Sequence, residues 1–258
     1  MQLATWNVNS LAVRLPQVLD WLAANPVDLL CLQELKLTDD KFPHDALQAA
    51  GYTAAAFGQK TYNGVAILSR HPLRDVVRNI TGLQDEQSRV IAATVDAPGG
   101  PLRVVNGYFV NGQAPGTDKF TYKMGWLDGL QAMLRNELQA HPRLALLGDF
   151  NITADDRDSY DPEGLRETIH HTSEERAHFQ ALLALGLSDA FRMFEQPEKS
   201  YSWWDYRDFG FRRNRGLRID HILLSPPLLA RAQSCEIDRA PRKNERPSDH
   251  TPVVVTLG

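Results

Sequence analysis

Four carboxylates stand where apolar runs end or break. Glu34 follows "VDLLCLQ", Asp149 closes "LALLGD", Asp220 interrupts "LRIDHILL", and Asp249 with His250 directly precedes "TPVVVTL". Amides and a phenol occupy similar places: Asn7 and Asn9 close the first apolar run, Tyr108 closes "LRVVNGY", and Asn151 follows Asp149 by two residues. Taken singly, an Asp or Asn at a strand end starts a turn or caps a helix. Jointly they ask for more, because a buried carboxylate is costly unless paired or metal-bound, and one shared cation would compensate all four. Oxygen donors with a single histidine and no thiolate favour a hard ion, Mg²⁺ or Mn²⁺, over zinc. Such an ion binds through few carboxylates plus a substrate phosphate, which suits hydrolysis of a phosphoester.

Within this set His250 needs a carboxylate to fix its tautomer. Asp220 is the expected partner rather than Asp249, since neighbours on an extended chain point apart, and Asp249 is then free to face the metal. His221, beside Asp220, reads as packing or surface. Tyr108 and Asn7 are placed to donate hydrogen bonds to phosphoryl oxygens. Asn151, sharing a strand face with Asp149, would orient a water that Asp149 deprotonates.

The elements that must carry these groups follow from the pattern of the chain. Its 258 residues, 43% apolar, can bury a large core, and no repeat, low-complexity tract or Gly/Ser linker marks a boundary, so one domain is expected. Strand candidates are "QLATWNV", "VDLLCLQ", "YTAAAF", "GVAILS", "RVIAATVDA", "LRVVNGYF", "LALLGDF", "LRIDHILLS" and "TPVVVTL". Helices are expected over residues 16–24, 118–140 and 173–185, the last capped by Ser173. Many strands with few helices predict two packed sheets with helices outside.

Two cysteines, Cys31 and Cys235, make neither a disulfide framework nor a zinc site and favour a reducing compartment. No secretory signal or membrane-length apolar run occurs, so a soluble, cytoplasmic protein with no membrane partner is expected. The net charge of −4 argues against a non-specific polycation, although "DYRDFGFRRNRGLR" and "RAPRKNER" are local basic clusters. Either a solvated loop or a phosphate-backbone contact explains such clusters.

The blocks "TWNVNSL", "CLQELK", "GVAILS", "GYFVNG", "LGDFNI", "GLRIDHILLS" and "SDHTPVV", in this order over residues 5–254, closely resemble the exodeoxyribonuclease III family of abasic-site endonucleases and 3′ exonucleases. That family belongs to the endonuclease/exonuclease/phosphatase superfamily. The resemblance implies an α/β, DNase I-like fold: a four-layer αββα sandwich of two mainly antiparallel β-sheets flanked by helices. One catalytic domain over residues 1–258 would carry a Mg²⁺-dependent site at one end. It further implies that Glu34 is the principal metal ligand, with Asn7, Asn9 and Asp249 nearby, and that Tyr108, Asp149, Asn151, Asp220 and His250 are catalytic. Trp203, Leu217 and Ile219 match a pocket that receives the sugar of the target nucleotide. Asn111 matches a phosphate contact, and Gln113 stands where some members carry arginine. Without the resemblance, Trp203 in "SWWDY" reads as a core aromatic.

One departure bears on specificity. Members that incise internally resemble one another in a small residue followed by an aromatic or apolar one just before "EER", whereas "ETIHHTSEER" puts His170 and His171 there. His170 is expected to add bulk where a continuous strand would pass. A Mg²⁺-dependent (or Mn²⁺-dependent) DNA repair nuclease acting at 3′ ends is therefore expected, removing nucleotides and 3′ phosphate. Its partner would be double-stranded DNA with damaged or recessed 3′ ends, nicks or abasic sites, bound by a monomer in the cytoplasm, at the nucleoid in a bacterial cell. The alternatives are a full abasic-site endonuclease with accessory exonuclease activity, a superfamily phosphatase on other phosphoesters, and a non-catalytic DNA-binding relative.

Overall fold

The computed structural model describes residues 1–258. Along the chain, β1 (Gln2–Asn7), α1 (Leu11–Ala24), β2 (Leu29–Gln33), α2 (His44–Ala49), β3 (Thr53–Phe57) and β4 (Val65–Ser69) come first. They are followed by β5 (Leu73–Arg78), β6 (Val90–Ala97), β7 (Gly100–Tyr108), α3 (Asp118–Ala140) and β8 (Leu144–Asp149). The rest comprises α4 (Ser173–Ala184), β9 (Ser188–Asp189), β10 (Trp203–Trp204), β11 (Gly216–Leu217), β12 (Asp220–Leu224), α5 (Pro226–Leu229), β13 (Ala232–Ile237) and β14 (Val253–Leu257).

Two six-stranded sheets form, in the orders β13-β14-β1-β2-β4-β3 and β5-β6-β7-β8-β12-β9, with β10 and β11 as a separate hairpin. Each large sheet holds one parallel pair, β1 with β2 and β7 with β8, among antiparallel neighbours. Apolar residues alternate along the strands, so each sheet has two faces to cover. Between the sheets, Leu3, Cys31, Ile67 and Val255 pack with Ile91, Val104, Leu147 and Ile222. The outer face of the first sheet packs Trp6 and Leu30 against Val18 and Leu22 of α1, and that of the second packs Val105 and Leu146 against Trp126 and Leu130 of α3 and Phe179 of α4. This is the expected four-layer sandwich. Both cysteines are buried and unpaired, and no helix is long and apolar enough to cross a membrane.

Several boundaries differ from expectation for identifiable reasons. α1 starts at Leu11, ahead of Pro16, because Ser10 and Leu11 donate their amides to the carbonyls of Glu34 and Leu35 and so satisfy the open end of the helix. The cap of α4 is Thr172, not Ser173: its hydroxyl accepts from the Glu175 amide while the Glu175 carboxylate accepts from the Thr172 amide. β5 and β13 have no counterpart among the expected strands. Both are edge strands with exposed positions, and "LRDVVR" and "AQSCEI" lack the apolar run that marked the others.

Candidate active site

Register brings the site together. Tyr108 pairs with Asp149 across β7 and β8, and Asp149 pairs with Asp220 across β8 and β12, so three of the side chains expected in the site stand abreast at strand ends. The close approach that allows this needs Gly148, where a Cβ would lie 1.9 Å from the Gly107 carbonyl oxygen. On the facing sheet, Asn7 ends β1 beside Gln33, and Glu34 follows directly. The chain then leaves the strands by turns that L-residues adopt reluctantly. Asn9 (φ 44°), Glu34 (φ 53°), Gln113 (φ 61°), Asn151 (φ 49°) and His170 (φ 71°) all have left-handed backbones, as do residues elsewhere in the chain such as Asp75, Lys199 and Arg246.

Side chains link across the gap between the sheets. The Asp220 carboxylate, fully buried, accepts from Ser202 Oγ at 2.6 Å and meets His250 Nδ1 at 2.9 Å. His250 Nε2 then lies 3.7 Å from Asp149 Oδ2. Asn7 Nδ2 bridges Asp149 Oδ2 at 2.9 Å and Glu34 Oε1 at 3.2 Å, and Tyr108 Oη donates to the same Glu34 oxygen at 2.7 Å. Asn151 wraps Asp149, its amide donating at 2.9 Å and its side-chain Nδ2 at 3.3 Å. The strand has already ended at Asp149, so this contact comes from a left-handed turn rather than from the shared strand face expected from the sequence.

Charge environment sets protonation. Burial pushes Asp149 up to about 7, against the nearby His250 and the amides of Asn7 and Asn151. Burial alone would lower His250, but the carboxylates of Asp220 and Asp149 outweigh it and raise it to about 10. Burial likewise would raise Glu34, yet Lys36 and Tyr108 hold it below the usual carboxylate range. Tyr108 is pushed well up by burial and by Glu34, so it keeps its proton and donates.

The donor set fits a divalent cation. Lys36 Nζ lies 2.9 Å from Glu34 Oε2 and 2.5 Å from Asn9 Oδ1, so hard oxygens from two loops already converge on a positive charge. Asn9 Nδ2 continues to Asp249 Oδ1 at 2.9 Å, and Asp249 Oδ2 accepts from Trp203 Nε1 at 2.9 Å. Asp149, Asp220 and His250 also lie close enough to hold an ion, within 4.8 Å of one another. With Nδ1 engaged by Asp220, His250 has only Nε2 left to face such an ion, whereas Glu34 and Asn9 offer the hard oxygens that Mg²⁺ or Mn²⁺ prefers.

Two cavities flank these groups. One, about 530 Å³, is lined by His170, Trp203, Leu217, Arg207, Arg215 and Asn111. The other, about 690 Å³, is lined by Glu34, Lys36, Arg89, Tyr108, Gln113 and again Asn111, which forms the ridge between them. Asn111 Nδ2 donates to Asn151 Oδ1 at 3.3 Å and Asn111 Oδ1 accepts from the Gln113 amide at 3.1 Å. Ile219 is buried and takes no part in the first cavity's wall. His170 reaches in beside Asn151, its Nδ1 2.7 Å from the Asn151 carbonyl; burial and the nearby Lys123 lower it to about 3, so the ring is neutral and donates.

The basic clusters divide. Arg207 and Arg215 line the first cavity. Arg218 is buried against Asp158 and Asp189, and Arg239 and Arg242 stack on Trp204 and Phe211. Arg218 and Arg242 are buried and architectural, which runs of charge could not reveal, whereas Arg239 stays exposed. Lys36 and Ser202 were not singled out from the sequence. The position of Lys36 two residues from Glu34 was an available signal, whereas Ser202 offered none.

The chain belongs to the endonuclease/exonuclease/phosphatase family, whose profile matches residues 4–250. Within that class it is 35% identical to the exodeoxyribonuclease III of Haemophilus influenzae over 98% of both chains. Among solved structures it resembles the 3′ phosphatase NExo from Neisseria bound to a product DNA hairpin, with TM-score 0.97 and 50% identity over 100% of this chain and 99% of that one. It equally resembles the 3′-5′ exonuclease NExo from Neisseria meningitidis, with TM-score 0.96 and 52% identity over the same shares.

Proposed function

We propose that this chain is a single-domain, metal-dependent DNA repair nuclease of the exodeoxyribonuclease III type that hydrolyses phosphoesters at DNA 3′ ends, including a 3′ phosphate. The observation that carries this is the unbroken series of contacts Asp220–His250–Asp149–Asn7–Glu34, assembled from distant segments at one end of both sheets. The half-identical Neisseria 3′ phosphatase and 3′-5′ exonuclease support the choice of substrate end.

Asp149, raised to about 7, accepts a proton from a water that Asn151 orients, and that water attacks phosphorus in line. The bond to the 3′ oxygen breaks and that oxygen takes up a proton from solvent, leaving a 3′ hydroxyl on the strand and a phosphate on the released group. His250, kept protonated by Asp220, and Tyr108, kept protonated by Glu34, donate to the phosphoryl oxygens as charge grows there, with Asn7 beside them. Glu34, with Asn7, Asn9 and Asp249, would hold Mg²⁺ or Mn²⁺, which supplies positive charge for the phosphoryl and leaving oxygens. Trp203 and Leu217 wall the terminal sugar, with Ile219 packed behind, while Asn111 and Gln113 meet phosphate. His170 stands where an uninterrupted strand would run and so favours ends. The second reading, internal incision at abasic sites, draws support from the two open cavities on either side of Asn111, which leave room for strand in both directions.

End-labelled duplexes carrying a nick, a recessed end, a 3′ phosphate or an internal abasic analogue test both readings. Release from 3′ ends that disappears with chelator and returns with Mg²⁺ or Mn²⁺ is expected. Equal or faster cutting at the internal abasic site would replace the first reading by the second, and metal-independent hydrolysis would remove the metal assignment.

A further inference from the structure

Lys123, on α3, has a completely buried side chain. Its ammonium donates to the carbonyl of Asn151 at 2.8 Å and to that of Asn111 at 3.3 Å, and it pairs with the carboxylate of Glu175, which is equally buried. Glu175 Oε1 also accepts from the His170 amide at 3.2 Å, while Oε2 accepts from the amide and hydroxyl of Thr172 at 3.1 and 2.9 Å. The His170 carbonyl is held in turn by the Thr153 amide and hydroxyl at 2.9 and 2.7 Å. Above the lysine stem the backbone closes at Gly112 (φ +86°), where a Cβ would come within 2.9 Å of Lys123 Cδ and 3.1 Å of Ile169 Cδ1.

Such an arrangement is expensive merely as packing. Each charge gives up its water, and apolar side chains of similar volume would join α3 to α4 at least as firmly. Apolar side chains could not hold the Asn151 and Asn111 carbonyls and the His170 and Thr172 amides at one point. Those four groups belong to separate walls of the site: the turn after β8, the ridge between the cavities, and the loop that leads into α4.

We propose that Lys123 and Glu175 are a positioning pair that fixes, from beneath the site, both the Asn151 turn and the His170 loop, and thereby sets turnover and the kind of DNA admitted. The effect on admission rests on the reading that His170 obstructs internal incision, whereas the effect on turnover does not.

The test uses full-length Glu175→Gln and the neutral pair Lys123→Met with Glu175→Gln, beside His170→Gly. Each is assayed on a recessed 3′ end and on a duplex with an internal tetrahydrofuran abasic analogue, below the thermal midpoint of every variant. Both pair variants are expected to lower kcat on the recessed end about tenfold with KM nearly unchanged, because displacement of a reacting group by a fraction of an ångström has effects of this order. They should also raise the ratio of internal incision to 3′ release in the same direction as His170→Gly. A purely architectural role would lower only the folded fraction, leaving kcat per folded molecule and the ratio unchanged; that result overturns the proposal. A ratio that rises in His170→Gly but stays fixed in the pair variants also overturns it. If His170→Gly itself leaves the ratio unchanged, the obstruction reading fails instead, and kcat on the recessed end alone decides for or against the pair. Should the double substitution not fold, Glu175→Gln, which keeps an acceptor for Thr172, decides.

Discussion

Two buried clusters of histidine and aspartate sit almost side by side on the chain around β12, and they have opposite characters. In the first, Asp220 holds His250 against Asp149, and His250 Nε2 has no nearer partner than the Asp149 oxygen at 3.7 Å. In the second, Arg218 Nε and Nη2 meet Asp158 at 2.7 and 3.0 Å, and Nη1 and Nη2 meet Asp189 at 3.2 and 2.7 Å. There His221 has both ring nitrogens engaged, Nδ1 by Arg218 at 3.1 Å and Nε2 by the Ile152 carbonyl at 2.9 Å. Burial acts on both rings to expel the proton. At His221 the adjacent guanidinium reinforces it and the ring is neutral; at His250 two carboxylates overcome it and the ring is charged. A network whose donors and acceptors are all matched has nothing left to offer a substrate, while one with an uncommitted nitrogen and a carboxylate near neutrality does.

That contrast can be broken by four measurements. The largest effect is expected from Asp149→Asn, which removes the base and should lower kcat for 3′ release by about a thousandfold or more with little change in thermal midpoint. A small loss of rate would erase the distinction between the clusters. Next, Arg218→Met keeps volume but removes the guanidinium shared by two buried carboxylates, leaving Asp158 with Arg192 and Asp189 with the Phe191 amide, so denaturant titration should show a loss of about 3 kcal/mol. The folded fraction should still turn over within about tenfold of the unmodified protein, since no reacting group is removed.

Third, the pH profile of kcat should rise through about 7 as Asp149 loses its proton and fall near 10 as His250 loses its own, a bell that reports the first cluster alone. The same shift has a sign for stability. His250 is raised above its unfolded value, so its contribution is complete below about 6.5 and is lost as pH climbs through about 10. A profile flat between 6 and 8 would be at odds with Asp149 as base. Smallest of all, His221→Gln should cost about 1 kcal/mol through one weakened hydrogen bond and leave the bell in place. A displaced bell would mean that the two clusters are coupled.

Much of this contrast was hidden in the sequence. "LLGD", "RID" and "SDH" carry the residues of the first cluster in plain view, because an acid at the end of an apolar run is an anomaly that patterning detects. Arg218, one residue beyond Leu217 in the same stretch, looked like part of a basic loop, since nothing local distinguishes an arginine facing phosphate from one sealed against Asp158, 60 residues away. The core strands were legible through their apolar runs, and β5 and β13 were not, because an edge strand has solvent on one side and needs no such run. Thr172 and Ser173 are both good caps, and only the reciprocal bond with Glu175 chooses between them.

By itself the amino-acid order determined the chemistry on offer: hard oxygen donors at strand ends, a histidine among carboxylates, and a layered α/β core to carry them. Only the tertiary structure decided which donors meet. The abreast register of Tyr108, Asp149 and Asp220, the neutral ring of His221 against the protonated one of His250, and the buried Lys123 beneath the Asn151 turn all depend on neighbours far away in the chain. Pairing and desolvation are sums over those neighbours, and no local window of sequence contains them.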